Sequence, residues 1–161
     1  IPVIGGDVYP TLMEMTGTSY PSNQPLDGVS LVPLLKGEPI NLYERPLYWH
    51  FPAYLQSYAV TDEQRDVLFR SRPCSIIRVG DWKLHQYFES GDLELYNLRL
   101  DIGEERNLSE SMPEKTQELL AQLNKWRKRL DASVNSDLNP KFDQALEAKA
   151  RKGKVKTRPR G

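Results

Sequence analysis

Apolar positions along this chain follow two rhythms. From residue 111 to 134 they recur every three or four residues, with Leu119, Leu123, Trp126, Leu130 and Val134 in one stripe. That is the spacing of an amphipathic helix. Ser111 and Glu114 are spaced as a capping box, and Pro113 suits the first turn. Glu114 and Glu118 come early, whereas Lys125, Arg127, Lys128 and Arg129 come late, an order that complements the helix dipole. Upstream the rhythm is two. Residues 47–51, 75–79, 82–88 and 93–98 are short runs of β-formers, bounded by Pro46 and Pro52, by Gly80-Asp81 and by the turn-rich stretch 89–92. In the third run Trp82, Leu84, Gln86 and Phe88 face one way, and Lys83, His85 and Tyr87 the other. The pattern predicts an α+β fold: a small four-stranded antiparallel sheet packed by a C-terminal amphipathic helix. Trp126, mid-stripe, is the expected anchor, against the 82–88 and 93–98 strands. The single helix covers one face, so Tyr48, Trp49 and Phe51 call for a further partner surface.

The flanks are less regular. Residues 7–17 read as a short helix, capped by Asp7, tolerant of Pro10 in its first turn and ended by Gly17. Pro21, Pro25, Pro33 and Pro39 make 18–46 loop-like. Residues 53–73 are polar and irregular, a functional loop or a partly helical insertion.

Composition narrows the class. The 161 residues are 39% hydrophobic with a mean hydropathy of −0.61, enough for one modest core. No run approaches the ~18 apolar residues of a membrane span. The opening IPVIGGDVYP has neither a basic nor a long apolar region of the kind a signal peptide needs, and lacks Met, so the chain reads as part of something longer. Charge balances at 22 basic and 22 acidic residues but is unevenly spread: residues 149–161 hold seven basic side chains and no acid. A basic end on an acidic body suits an anionic polymer, yet no aromatic residue is interleaved there for base stacking, so no nucleic-acid partner is expected. Residues 144–161 read as a solvated, disordered basic tail.

Candidate chemistry is sparse. Cys74 cannot pair or build a thiolate metal site alone. It starts a β-branched run, where an inert buried thiol is expected. His85 lies on an alternating strand, and DIGEE (101–105) lacks the ligand spacing of a calcium loop. Asn107 begins an NLS sequon. No metal site and no self-contained active site emerge. His50 stands out because aromatics bracket it, in YWHFP.

Five segments in order, GGDVYPTLMEMTG, PLDGVSLVPLLKGE, RPLYWHFP, IIRVGDWKLHQYFESGDLELYNLRLDIGEERNL and NPKFD, resemble the C-terminal portion of a type I, arylsulfatase A-like sulfatase of the alkaline phosphatase superfamily. The resemblance covers residues 1–143. It implies that residues 1–20 end an N-terminal catalytic α/β domain, and that 21–143 form the C-terminal subdomain, a four-stranded sheet with a terminal helix. The formylglycine nucleophile and the calcium ligands of such enzymes lie in the N-terminal domain, so this chain is expected to hold no cofactor and no catalytic residue. CSIIR has Ile76 where the nucleophile motif needs proline. The implied partners are the catalytic domain of the same polypeptide and a sulfated small molecule or glycan; the implied location is periplasmic or secreted. His50, with Tyr54 and an arginine from Arg70 or Arg72, is the expected substrate-contacting set outside the sulfate subsite. A phosphonate or phosphate monoesterase fragment, and a non-catalytic glycan-binding or interaction module, are the alternatives.

Overall fold

The computed structural model describes every residue except 22, 57–65, 135–138 and 157–161. The chain divides into two compact units, Ile1–Arg45 and Pro46–Gly161.

The first unit holds a 3₁₀ turn at Gly5–Asp7, helix α1 at Val8–Thr16 and the short α2 at Val32–Leu35. Gly17 ends α1 in the left-handed region (φ 67°), which glycine adopts without a Cβ penalty. Asp7 organises the unit. Its fully buried carboxylate accepts the N–H groups of Ile4 (2.8 Å) and Val29 (3.0 Å) and a two-pronged contact from Arg45 (2.7 and 2.8 Å). The Arg45 guanidinium is the main reason that this carboxyl lies far below the usual carboxylate range. Thr11 adds a second tie: its hydroxyl donates to the Asp7 carbonyl and accepts the Leu31 N–H. The loop containing Gly28 lies against the Gly6–Asp7 backbone so closely that a Cβ at Gly28 would sit 2.0 Å from the Gly6 carbonyl oxygen. Residues 28–45 are tied to the Asp7 turn and share its compact unit.

The second unit contains the expected sheet. Strands β1 (Leu47–Phe51), β4 (Cys74–Val79), β5 (Trp82–Tyr87) and β6 (Leu93–Asn97) are antiparallel in the order β1-β4-β5-β6. Register aligns Tyr48, Ile77, Leu84 and Leu95 in one row across all four strands. Helix α3 (Pro113–Leu130) lies over that row, and Leu119 and Leu123 complete a core in which Ile77, Leu84 and Leu95 are fully buried.

Several expectations change in detail. Trp126 packs on β1 rather than β5 or β6: its ring lies 4.6 Å from that of Tyr48 with planes 3° apart. Tyr48 is thus covered by the helix, while Trp49 and Phe51, on the opposite face, stay 43% and 39% exposed. Leu130 and Val134 are exposed, so the buried stripe stops at Trp126. The capping box does not form. Met112 is the N-cap, and the Ser111 hydroxyl donates to the Leu108 carbonyl instead. Thr116 anchors the first turn through the carbonyls of Ser109 and Met112.

Two elements appear where none was expected. Part of the irregular 53–73 stretch forms a small antiparallel hairpin, β2 (Leu55–Gln56) with β3 (Phe69–Ser71). Of the stretch 144–161 read as a disordered tail, the first part is helix α4 (Gln144–Lys156), and 157–161 lie outside the described residues. Its first turn is held by the Asp143 carboxylate, which accepts the N–H groups of Ala145 and Leu146. Among the described residues no helix is long and apolar enough to cross a membrane.

Candidate functional site

Three of the four expected site residues gather on the β2–β3 hairpin. Tyr54 precedes β2, is 48% exposed, and meets Phe69 of β3 at 4.8 Å between ring centroids with the planes tilted by 48°. Burial of its hydroxyl end, followed by a hydrogen bond to Glu89, raises the Tyr54 phenol. Arg70 points outward from the middle of β3 and is exposed. Arg72 follows the strand and pairs with Asp66, with Glu89 3.8 Å away.

Asp66 is the hub. Besides Arg72 it accepts the N–H groups of Leu68 (2.8 Å) and Phe69 (3.1 Å) and both contacts of the Arg151 guanidinium (3.0 and 3.1 Å). Burial, the largest single influence, pushes its carboxyl up. The Leu68 N–H, the two arginines and the Phe69 N–H together outweigh it and bring the pKa down to about 2. Arg151 lies on α4 and also holds Glu147 one turn back. A carboxylate in the hairpin thus fixes the basic helix beside the aromatic pair.

His50 is placed differently. Its ring lies on the α3 side of β1, with Nδ1 2.8 Å from the Ser75 hydroxyl and Nε2 2.8 Å from the Ser133 carbonyl. Ser75 is fully buried. Phe88 lies 5.7 Å away in ring centroid, and the Arg127 guanidinium lies over the Phe88 ring at 5.2 Å. Both imidazole nitrogens are therefore engaged within the fold, joining β1, β4 and the segment after α3.

A polar network that periodicity did not single out occupies the sheet face opposite α3. Lys83 Nζ lies 2.5 Å and His85 Nε2 3.1 Å from the Glu104 carboxylate. Tyr96 and Tyr87 both donate to the Glu94 carboxylate, at 2.9 and 3.3 Å. Glu104 has a left-handed backbone (φ 55°), which is unfavourable for a residue with a Cβ, and its carboxylate is held by Lys83 and His85. Asn107, the sequon asparagine, accepts the Leu95 and Ser109 N–H groups and donates to the Leu93 carbonyl, stitching the loop to β6.

The resemblance puts calcium and formylglycine in the N-terminal domain, and the described residues here offer no donor set for either. Cys74 is buried, and burial raises its thiol above the ordinary range, the reverse of an activated nucleophile. Among the described residues no group of three or more His, Cys, Asp or Glu side chains is placed to hold a metal ion.

With this geometry in hand, comparison with known proteins gives a consistent picture. The chain belongs to the N-sulphoglucosamine sulphohydrolase C-terminal family, whose model matches residues 3–133. It is 36% identical over 127 residues to a sulfatase of Formosa agariphila, covering 73% of this chain and 21% of that protein. It is 27% identical over 103 residues to a Δ4,5-hexuronate-2-O-sulfatase of Bacteroides thetaiotaomicron, covering 64% and 18%. The chain thus spans about a fifth of the length of the curated relatives that it matches. Among solved structures, a 2-O GAG sulfatase shares the fold with a TM-score of 0.61 at 24% identity, over 83% of this chain and 27% of that one. A phosphonate monoester hydrolase of Agrobacterium radiobacter shares it at 0.51 and 25%, over 76% and 24%. The architecture is that of a sulfatase C-terminal portion, and the same architecture serves a second hydrolytic chemistry.

Proposed function

We propose that this chain completes a sulfatase that hydrolyses the sulfate ester of a sulfated carbohydrate, and that it borders the substrate pocket without supplying the bond-breaking groups. The observation that supports this most is the unbroken family match over residues 3–133. In this reading the nucleophile and the calcium site belong to the N-terminal domain of the same polypeptide, whose end is residues 1–20. The exposed Trp49 and Phe51 suit a partner surface contributed from outside this chain, as exposed aromatic patches normally mark an interface.

Within this reading the hairpin lines the rim of the pocket. Tyr54 offers an aromatic face to the C–H side of a sugar ring, and Arg70 offers a cation to its anionic groups. Arg72 is engaged with Asp66 and keeps the hairpin in shape while presenting its remaining donors. His50 acts as a positioning residue, since it fixes the end of β1 from which the chain enters the hairpin.

The experiment compares turnover of a natural sulfated oligosaccharide and of a small aryl sulfate by the full-length enzyme. Tyr54→Ala and Arg70→Ala should lower kcat/KM for the oligosaccharide about 10-fold or more, the loss of one sugar-contacting group, with a much smaller effect on the aryl sulfate. His50→Ala should lower both alike, together with the melting temperature. Equal losses on both substrates for Tyr54→Ala and Arg70→Ala would remove the hairpin from the pocket.

A further inference from the structure

The β2–β3 hairpin has little of its own to hold its shape. Its strands are two and three residues long, and their register shifts between Leu55 and Gln56. It forms a sheet of its own, separate from the four-stranded one. A lone two-stranded hairpin is marginal in water, so its geometry has to be set from outside. Asp66 gathers that support. One of its oxygens accepts the Leu68 and Phe69 N–H groups, and the Phe69 ring lies against Tyr54. Both oxygens accept from Arg151 of α4, at 3.1 and 3.0 Å. The charges alternate from one element to the next: Glu147 with Arg151, Arg151 with Asp66, Asp66 with Arg72, and Arg72 with Glu89 in the β5–β6 turn, 3.8 Å away. Glu89 in turn accepts the Tyr54 hydroxyl. The Asp66 side chain is only 12% exposed, so its pairs are screened less than surface ones.

We propose that Arg151 is a positioning residue for the hairpin: through Asp66 it fixes the backbone at Phe69, and with it the ring on which Tyr54 rests, so that α4 governs carbohydrate selection without touching the substrate. The inference rests on the reading of the hairpin as the pocket rim and deepens it, by naming what regulates that rim. The two arginines on Asp66 have different roles. Arg72 follows β3 and moves with the hairpin. Arg151 belongs to a separate helix and gives the hairpin a reference outside itself. Removing the Arg151 charge leaves Asp66 with Arg72, which closes the hairpin on itself but does not orient it. Lys152, the next residue, carries the same charge, is exposed, and makes no ion pair among the described residues. It is therefore the charge-matched comparison.

Hydrogen exchange at the Leu68 and Phe69 amides of the full-length enzyme reads the positioning directly. Kinetics on the sulfated oligosaccharide and the small aryl sulfate read its consequence. Arg151→Gln should speed exchange of both amides and raise KM for the oligosaccharide, each about 5-fold or more, with kcat and the aryl sulfate little changed. Arg151→Lys, which keeps a cation for Asp66, should recover most of both effects. Lys152→Gln should match wild type throughout. Unchanged exchange in Arg151→Gln overturns the proposal. So does an equal effect in Lys152→Gln, or a loss on both substrates that tracks a lower melting temperature. Tyr54→Ala in the same assays separates this from the parent reading. If Tyr54→Ala is selective for the oligosaccharide and Arg151→Gln is not, the role of α4 falls and the rim stands. If the amides respond to Arg151→Gln but Tyr54→Ala loses both substrates alike, the rim reading falls instead.

Discussion

Tyr48 and Trp126 lie ring on ring, 4.6 Å apart and 3° from parallel, and join the edge strand β1 to the last buried turn of α3. Tyr48 sits at the end of the row that runs through Ile77 and Leu84 to Leu95. The stack therefore closes the core at its open side, where, among the described residues, no further strand pairs with β1. Burial at this contact also raises the Tyr48 phenol.

Two stability measurements follow from that position. Leu123→Ala, at a fully buried site, should cost about 2–5 kcal/mol through lost burial and the cavity left behind. Trp126 is half-buried, so Trp126→Ala should cost less than truncation of a wholly buried tryptophan. In a double-mutant cycle with Tyr48→Ala the pair should show a coupling of about 0.5–1.5 kcal/mol. Chemical denaturation of the four proteins gives both numbers; zero coupling would mean that the rings touch without stabilising each other.

In the first unit, Arg45→Met should be more damaging than any surface change. It leaves the buried Asp7 carboxylate without its counter-charge, and breaking such a pair costs about 3–5 kcal/mol. Asp7 has a depressed pKa in the folded state, so it stabilises the fold above the unfolded carboxylate range and ceases to do so only in strong acid. Losing Arg45 raises that pKa and should move the acid unfolding midpoint to higher pH. Gly28→Ala should be harmful for a different reason, because its Cβ meets backbone rather than a movable side chain. Circular dichroism against pH and temperature checks all three statements.

The attachment of α4 carries its own pH signature. With Asp66 held at about 2, the contribution of its pairing is complete above about pH 4, the unfolded carboxyl value, and is lost as pH falls through about 2. Hydrogen exchange should find the α4 amides protected between pH 4 and 7. In Asp66→Asn the same amides should exchange much faster across that whole range. Equal protection in both proteins would show that the helix is held by something else.

Much of this fold is legible from period and turn chemistry. The run 47–51 has the same bounds as β1, and Gly80-Asp81 marks the β4–β5 turn because a short antiparallel connection needs those residue types. The β2–β3 hairpin escapes because two- and three-residue strands have no alternation to detect. The helix α4 escapes for compositional reasons. Its charge draws attention away from Ala145, Leu146, Ala148 and Ala150, strong helix formers that follow a capping aspartate. At the site, the aromatic bracket around His50 is real, but the bonds to Ser75 and Ser133 are not local. The same holds for Asp66 and Arg151, which meet across 85 residues. Pattern within a window cannot report which distant partner a polar side chain finds.

The most direct test of the account is release of inorganic sulfate, followed by ion chromatography, from a sulfated oligosaccharide and, in parallel, hydrolysis of a phosphonate monoester. Full-length protein and the 161-residue chain are assayed side by side. The account predicts that full-length protein frees sulfate, prefers the sulfate ester over the phosphonate, and that the 161-residue chain does neither. A full-length protein that cleaves the phosphonate and leaves the sulfate untouched would contradict it, as would turnover by the short chain that Cys74→Ala abolishes.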